Sequence, residues 1–212
     1  MSASVFLNKP DVNMSTDKKI KVGVVGVGHL GKHHMRLLKG LDCELVGVAD
    51  PSEEARKFAA DTYGIATYAD YKDLAGKVDA VTVVVPTVMH REVGCFFLDQ
   101  GVDVLVEKPI ARSVADGQAI VDAANRNDRI LAVGHVERFN PALRAVEDIG
   151  KSARYIESHR LAPFSFRSTD IGVVLDLMIH DLDLVLAFVK SPIRSVEAFG
   201  GAVFTPAEDM AS

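Results

Sequence analysis

The side chains best suited to proton transfer in this 212-residue sequence are Asp176 and His180. They lie four residues apart in an apolar stretch, so a helix would place both on one face. A histidine with a carboxylate one turn away suits a general base that takes a proton from an alcohol. The pair could equally form a buried hydrogen bond or supply two ligands to a metal ion. Because no other Cys, His or Glu cluster has ligand spacing, no metal is expected.

A lysine in the middle of the sequence is the second candidate for chemistry. Glu107-Lys108-Pro109 directly follows the apolar run 102–106, which is predicted to be a buried strand. A lysine at the carboxyl end of such a strand can donate a hydrogen bond to a substrate hydroxyl and stabilise the developing alkoxide. Glu107 is expected to orient Lys108. The alternative is a surface ion pair beside a turn proline, and position alone leaves both interpretations open.

A glycine motif near the start of the sequence indicates phosphate binding. The apolar run 21–25 leads to Gly26-x-Gly28-x-x-Gly31, and a helix is predicted to follow. In such a turn the first glycine permits the sharp bend, the second lets a pyrophosphate approach, and the third allows close helix packing. The N–H of His29 is expected to point at the phosphates, because helix N-termini carry free N–H groups. Glycines also close ordinary strand-to-helix turns, so the motif needs supporting context.

Asp50 supplies part of that context. It ends a second apolar strand, 43–49, and follows Gly31 by about 20 residues, where an acid contacts the adenosine ribose. A carboxylate there repels a 2′-phosphate, so the predicted cofactor is NAD and NADP is disfavoured. The alternative is that Asp50 only caps the helix that starts near Ser52.

The elements that must position these residues alternate between strand and helix. Strands are predicted at 21–25, 43–49, 66–68, 80–85, 102–106 and 130–133. Helices are predicted after Leu30 and at 52–63, 88–100 and 114–127. Several strands are apolar on both faces, which is typical of a parallel sheet covered by helices on both sides. The predicted fold is therefore α/β, with a doubly wound parallel sheet of the Rossmann type.

The alternation changes near Pro141. A short helix at 142–149, an extended segment at 153–161, a helix at 173–189 and a strand at 193–203 indicate an α+β second domain. We expect a disordered tail at 1–18, a dinucleotide-binding domain at 19–140, and the start of a substrate domain at 141–212. A complete domain needs roughly 100 residues. The second domain is therefore expected to be incomplete or to depend on a partner that covers its sheet.

Composition excludes several classes of protein. The sequence is 48% hydrophobic with a net charge of −5, and no basic cluster indicates nucleic-acid binding. No segment has the length and apolarity of a membrane span, so a cytoplasmic protein is expected. Cys43 and Cys95 lie in apolar segments and are expected to be buried, free thiols.

In combination, the motifs resemble the glucose–fructose oxidoreductase/inositol dehydrogenase/MocA family. The resemblance rests on the glycine motif, Pro86-Thr87 with His90, Glu107-Lys108-Pro109 and Asp176-x-x-x-His180. It implies an NAD(P)-dependent sugar or polyol dehydrogenase with a Rossmann domain, a C-terminal α/β domain and a homo-oligomer, a dimer or tetramer. It also implies that Lys108 and His180 are the catalytic pair and that Asp176 positions the substrate hydroxyl.

The resemblance further implies which residues contact ligands. The cofactor-binding residues would be Gly26, Gly28, His29, Leu30, Gly31, Asp50, Pro86, Thr87, His90, Glu107 and Lys108. The segments 134–141 and 175–183 look like the branch of the family that oxidises nucleotide sugars to 3-keto products. The substrate-binding candidates would then be Arg138, Asn140, Arg160 and Arg167, since guanidinium groups bind phosphate.

Two other functions remain open on the sequence. The protein could be an NAD-binding regulatory module or an inactive fragment, although a pure binder has no need of Lys108, Asp176 and His180 together. Among enzymes, it could be a dehydrogenase of the inositol or glucose type. A methyltransferase also uses a glycine-rich first turn, but it leaves the lysine and histidine motifs unexplained.

Overall fold

A computed structural model describes residues 19–146, 150, 152–163, 171–189 and 191–212. Six parallel strands are β1 Ile20–Val25, β2 Cys43–Ala49, β3 Ala66–Tyr68, β4 Ala80–Val83, β5 Asp103–Val106 and β6 Leu131–Val133. They form one sheet in the order β3-β2-β1-β4-β5-β6. This is the strand order of a Rossmann fold, so the predicted fold class is confirmed.

Helices cover both faces of this sheet. They are α1 His29–Leu38, α2 Glu53–Tyr63, α3 His90–Asp99 and α4 Val114–Arg126. A short helix, α5 Pro141–Ala145, follows the sheet. On one face Met35 of α1 packs in a cluster with Val24 and Val48. On the other face Phe97 of α3 and Ile120 of α4 belong to a second cluster, which includes Val81 and Val83. The central strands are buried on both sides, which explains their continuous apolar runs.

Local signals set the helix ends close to their predicted positions. The hydroxyl of Ser52 accepts a hydrogen bond from the Ala55 N–H, and that of Ser113 accepts from the Asp116 N–H. Gly64 ends α2 in the left-handed region, with φ of 64°. These caps were readable from the sequence because each lies within a few residues of the groups it satisfies.

Two predicted boundaries near the carboxyl end of β4 differ from those in the structure. The strand predicted at 80–85 ends at Val83, because the chain then turns toward the cleft above the sheet. The helix predicted at 88–100 begins as a 3-10 turn, Thr87–Met89, and continues as α3. No side chain caps that turn.

The region after α5 holds less regular structure than predicted. A π-helical turn, Val174–Met178, leads into α6 Ile179–Phe188, where one continuous helix at 173–189 was predicted. The strand predicted at 193–203 is wrong. Within the described residues only β7 Gly200–Gly201 pairs there, with β8 Met210–Ala211 in antiparallel register. Apolar alternation favours a strand only where a neighbouring strand is available for pairing, and Phe199 beside β7 is 77% exposed.

Some predictions fall on residues that the structure does not describe. These are the tail at 1–18, the last part of the helix predicted at 142–149, and Arg167. Cys43 and Cys95 are free but only half-buried, because each lies at the edge of the core. In the described part of the chain, no helix has the length and apolarity needed to cross a membrane.

Candidate active site

The glycine turn between β1 and α1 has the geometry of a phosphate-binding turn. Gly26 has φ of 95°, and a Cβ there would overlap the carbonyl oxygen of Val84. A Cβ on Gly31 would overlap the carbonyl oxygen of Gly26, so the start of α1 lies directly against the turn. Above Gly28, in contrast, a Cβ would meet nothing within 4 Å. The turn therefore leaves open space in front of the first residues of α1, His29 and Leu30, where helix N–H groups lack intrahelical partners.

A cavity of about 360 Å³ adjoins this turn. Its lining includes Gly26, Gly28, Asp50, Pro51, Pro86 and Met89. It lies at the carboxyl ends of the parallel strands, where open α/β sheets bind their ligands. The open approach over Gly28, the free helix N-terminus and the carboxylate of Asp50 together fit a dinucleotide.

Asp50 connects the two loops that border this cavity. Its Oδ2 accepts a hydrogen bond of 2.7 Å from the Val27 N–H, and its Oδ1 accepts one of 2.8 Å from the Ser52 N–H. The N-cap of α2 is Ser52, so the capping alternative for Asp50 is wrong. The nearest basic residue, Arg56, donates from Nη1 to the carbonyl oxygens of Asp50 and Pro51, both at 2.8 Å. Asp50 thus places a negative charge in the cavity wall.

The residues after β4 separate into three environments. Pro86 lines the cavity beside the glycine turn, whereas Thr87 lines a neighbouring cavity of about 310 Å³. The His90 ring is 1% exposed, with Nδ1 2.9 Å from the carbonyl oxygen of Pro109 and Nε2 3.0 Å from that of Val85. Its side chain therefore joins the loops after β4 and β5 and does not face the cavity.

Lys108 and Asp176 meet although 68 residues separate them in sequence. The Lys108 ammonium donates from Nζ to the Asp176 carbonyl oxygen at 2.7 Å and to its Oδ1 at 2.9 Å. Both side chains are mostly shielded from solvent, with exposed fractions of 17% and 28%. An ammonium has three N–H donors, so one stays available for a ligand.

Glu107 contacts Lys108 through the lysine backbone and not through its ammonium. Its Oε2 accepts the backbone N–H of Lys108 at 3.1 Å, and its Oε1 lies 2.9 Å from Nε2 of His34. The reason is geometric, since successive side chains of an extended chain point to opposite sides. Asp176 contacts the lysine ammonium instead.

His180 lies in the same cleft, but it has no contact with Asp176. Its Nδ1 is buried and has no hydrogen-bond partner among the described residues. Burial lowers the pKa of the imidazole, and the positive charges of Lys108 and Arg160 lower it further. The Asp176 carboxylate accepts from the Lys108 ammonium instead.

His135 is a site residue that the sequence reasoning missed. It follows β6 at the same sheet edge as Lys108, and its Nδ1 is buried without a partner among the described residues, 3.9 Å from Asp183 Oδ2. Burial lowers its pKa, although the negative charge of Asp183 acts in the opposite direction. The available signal was its position just after a predicted strand, at a carboxyl edge.

Three of the four candidate substrate-binding residues lie in the described part of the chain, and each has a protein partner there. Arg138 forms a forked pair with Asp183, at 2.6 Å from Nε and 2.5 Å from Nη2. Arg160 forms a similar fork with Asp181, at 2.8 and 3.1 Å. Asn140 is exposed, and its Oδ1 accepts the Ala142 N–H at the start of α5.

Among the described residues, no group of three His, Cys, Asp or Glu side chains is placed to hold a metal ion. The chemistry available to the cleft is proton transfer by His180 and hydrogen bonding by Lys108. Together with the Rossmann sheet and the dinucleotide cavity, these groups are of the kind that dinucleotide-dependent oxidoreductases use.

Comparison with known proteins specifies the class further. Residues 20–135 match the model of the oxidoreductase family with an NAD-binding Rossmann fold, GFO_IDH_MocA. The chain therefore belongs to the Gfo/Idh/MocA family, as its sequence motifs predict, and the family is NAD-binding.

Several relatives are dehydrogenases. The chain is 38% identical over 194 residues to UDP-N-acetylglucosamine 3-dehydrogenase of Acidithiobacillus ferrooxidans, covering 91% of this chain and 62% of that protein. A solved structure of that enzyme matches with a TM-score of 0.84 and 63% of its chain covered. The WlbA dehydrogenase from Bordetella pertussis, solved with NADH and UDP-GlcNAcA, matches at 27% identity with a TM-score of 0.80, covering 92% of this chain and 63% of that chain.

An inositol enzyme is also similar. The scyllo-inositol 2-dehydrogenase (NAD(+)) of Bacillus subtilis is 28% identical over 204 residues, which are 90% of this chain and 60% of that protein. The chain thus spans about three fifths of the length of these relatives.

Proposed function

We propose that this protein oxidises a secondary hydroxyl of a UDP-linked amino sugar to a 3-keto product, with NAD as the oxidant. The observation that carries the proposal is the meeting of Lys108 Nζ with Asp176 in the cleft that holds the half-buried His180. The sugar is inferred from the likeness to the UDP-N-acetylglucosamine enzyme, which extends over 91% of this chain.

In the proposed mechanism, Lys108 holds the substrate hydroxyl. Its third N–H donates to the hydroxyl oxygen, while Asp176 occupies the other two and limits the freedom of the ammonium. As the O–H bond breaks, the positive charge of Lys108 stabilises the developing alkoxide.

His180 takes the hydroxyl proton in this mechanism. Because its pKa is lowered, its imidazole is neutral near pH 7 and has a free lone pair. The carbinol carbon then loses its hydrogen as hydride and becomes a carbonyl carbon. NAD, when bound, supplies the hydride acceptor.

Asp50 gives the proposal its cofactor preference. Its carboxylate, held by the Val27 and Ser52 N–H groups, borders the cavity where a ribose would lie. A carboxylate there accepts hydrogen bonds from the ribose hydroxyls and repels a 2′-phosphate, so NAD is preferred over NADP.

The proposal also includes a homo-oligomer, a dimer or tetramer, and a location in the cytoplasm. The oligomer rests on the likeness to the family, and the location is the expectation drawn from the sequence. A mass measurement in solution and fractionation of cells test them directly.

An absorbance assay for reduced nicotinamide tests the proposed activity. NAD and NADP are each offered with UDP-N-acetylglucosamine, its uronate, myo-inositol and glucose, and the expected outcome is turnover of a UDP-sugar with NAD. Lys108→Met is expected to abolish turnover while leaving NAD binding largely intact, and Lys57→Met, a change at an exposed position on α2, serves as the control.

Other outcomes of the assay favour the alternatives. Oxidation of myo-inositol or glucose alone would favour the inositol or glucose type of dehydrogenase, which the B. subtilis relative represents. NAD binding without turnover of any sugar would favour a regulatory module.

A further inference from the structure

The loop that carries Lys108 is held by two histidines from different helices. His34 of α1 lies 2.9 Å from Oε1 of Glu107, the residue before the lysine. His90 of α3 lies 2.9 Å from the carbonyl oxygen of Pro109, the residue after it. The lysine ammonium itself donates to two oxygens of Asp176 and to neither histidine.

The two attachments differ in strength. On the Pro109 side, His90 is fully buried, and its second ring nitrogen lies 3.0 Å from the Val85 carbonyl oxygen. On the Glu107 side, the contact that links the side chain to a helix is the one to His34. The Pro109 side of the loop is thus anchored in the core by His90, whereas the Glu107 side is attached to a helix through His34. The position of Lys108 therefore depends on the contact with His34.

The His34–Glu107 contact is shielded from water. The exposed fractions of the two side chains are 17% and 12%. Burial alone would raise the pKa of Glu107, but the hydrogen bond and charge of His34, together with the Lys108 N–H, hold it below its ordinary value. The carboxylate therefore stays ionised, which strengthens its hydrogen bond to the Lys108 backbone.

A glycine on the neighbouring strand end leaves space for this arrangement. A Cβ on Gly134 would lie 2.8 Å from the Glu107 carboxylate. The Gly134 N–H also donates to the Val106 carbonyl oxygen, which brings this glycine beside the end of β5. The carboxylate is thus confined by a histidine, a backbone amide and the surface of a glycine.

We propose that His34 is a positioning residue for Lys108, and that it acts through the Glu107 carboxylate and the Lys108 backbone N–H. The proposal rests on the proposed function, in which Lys108 must place one N–H on the substrate hydroxyl. A lysine side chain is long and flexible, so the precision of its ammonium depends on a fixed backbone and on Asp176. His34 also belongs to the helix whose first turn faces the dinucleotide cavity, so the contact connects the two halves of the site.

The experiment compares His34→Ala with His34→Gln, whose amide can still donate to Glu107. His159→Ala is the matched control, because His159 forms a contact of the same 2.9 Å length with Glu157 but is 76% exposed. His34→Ala is expected to lower kcat for the sugar about tenfold or more, since small displacements of a catalytic group are costly. His34→Gln is expected to recover most of that loss, and His159→Ala to cause none.

A second measurement does not depend on activity. The backbone amide of Lys108 donates to Glu107, and its rate of hydrogen exchange can be followed by NMR in ¹⁵N-labelled protein. Exchange is expected to accelerate in His34→Ala and to return toward the original rate in His34→Gln. A merely structural role for His34 would lower Tm without a selective change at the Lys108 amide.

The outcomes separate this inference from the proposed function. If Lys108→Met abolishes turnover and His34→Ala leaves both kcat and the Lys108 amide unchanged, the positioning role of His34 is wrong while the function stands. If Lys108→Met retains turnover, the role of Lys108 in the proposed mechanism is wrong. If the unaltered protein turns over no sugar, the proposed function is wrong. In both cases the amide measurement still decides whether His34 positions the loop.

Discussion

At the scale of the residue, the partners of each polar group determine what it can do. The Lys108 ammonium faces Asp176, and the His180 imidazole stays neutral because it is half-buried beside positive charges. Arg160 is one of those charges, and it is held by Asp181 on α6. The acid–base properties of the cleft therefore depend on residues that take no direct part in proton transfer.

Removing the Arg160 charge is expected to shift the pH profile. Because the pKa of His180 is lowered, the imidazole stays neutral at pH values just below 6.5, its ordinary pKa. The value of kcat/KM is therefore lost only as the pH falls through the lowered pKa. In Arg160→Gln one cause of the lowering is gone, and the Asp181 carboxylate keeps the hydrogen bond from Ser158 but loses its ion pair. Both changes raise the His180 pKa. The acidic limb of kcat/KM is expected to move to higher pH.

The measurement is the pH dependence of kcat/KM, supported by NMR titration of the imidazole. Arg126→Gln is the control, because Arg126 forms an exposed pair with Asp99 on α3. An acidic limb that stays in place, or moves to lower pH, would contradict the assigned cause. The height of the profile is a separate result, since it reports any contact between Arg160 and the substrate.

At the scale of the element, the glycine turn and α1 form one unit with two distinct steric requirements. Gly31 faces the backbone of Gly26, whereas Gly28 faces open space. One position is needed for packing and the other for ligand approach. Sequence spacing predicts the motif as a whole, and the local geometry assigns a requirement to each glycine.

Gly31→Ala is therefore expected to lower stability, and Gly28→Ala to weaken NAD binding. Gly31→Ala forces backbone atoms apart and is expected to cost about 1–3 kcal/mol of unfolding free energy. Gly28→Ala adds a methyl group to empty space at a φ of −69°, so stability should change by less than about 0.5 kcal/mol. The same methyl group blocks the phosphate approach, so the Kd for NAD is expected to rise about tenfold or more.

Thermal unfolding and NAD titration of both variants check this pair. Equal loss of stability in the two variants would mean that the space above Gly28 is used for packing. Unchanged NAD affinity in a folded Gly28→Ala protein would place the phosphates elsewhere.

At the scale of the whole molecule, burial is unevenly distributed. The sheet and its helices contain the fully buried side chains, among them Phe97, Leu98 and Met35. Beyond α6, large apolar side chains such as Phe199 and Phe204 are 77% and 79% exposed. The chain also spans about three fifths of the length of its relatives.

Amide hydrogen exchange is expected to follow this distribution. Amides of β1, β4 and β5 should exchange slowest, because they open only on global unfolding, while those in 191–212 should exchange fastest. Mass spectrometry of exchanged peptides makes the comparison. Equal protection of 191–212 and β4 would show that another surface covers these apolar side chains in solution.

Sequence reasoning succeeded for the Rossmann sheet and for the turns and caps between its strands and helices. The sheet, the glycine turn, the serine caps and the carboxyl-edge position of Lys108 depend on residues within one strand–turn–helix unit. It failed for the strand at 193–203, because pairing depends on a distant partner. It missed His135, whose sequence neighbours give no sign of the Asp183 carboxylate beside it.

The sequence by itself determined the class of fold, the family and the residue types available for chemistry, because these follow from short-range patterns of polarity and glycine. Only the tertiary structure decided which charged groups meet. Asp176 reaches Lys108 across 68 residues and His34 reaches Glu107 across 73, in each case between different elements. Such contacts depend on how helices pack on the sheet and on the π-helical turn, and no spacing within the sequence specifies that packing.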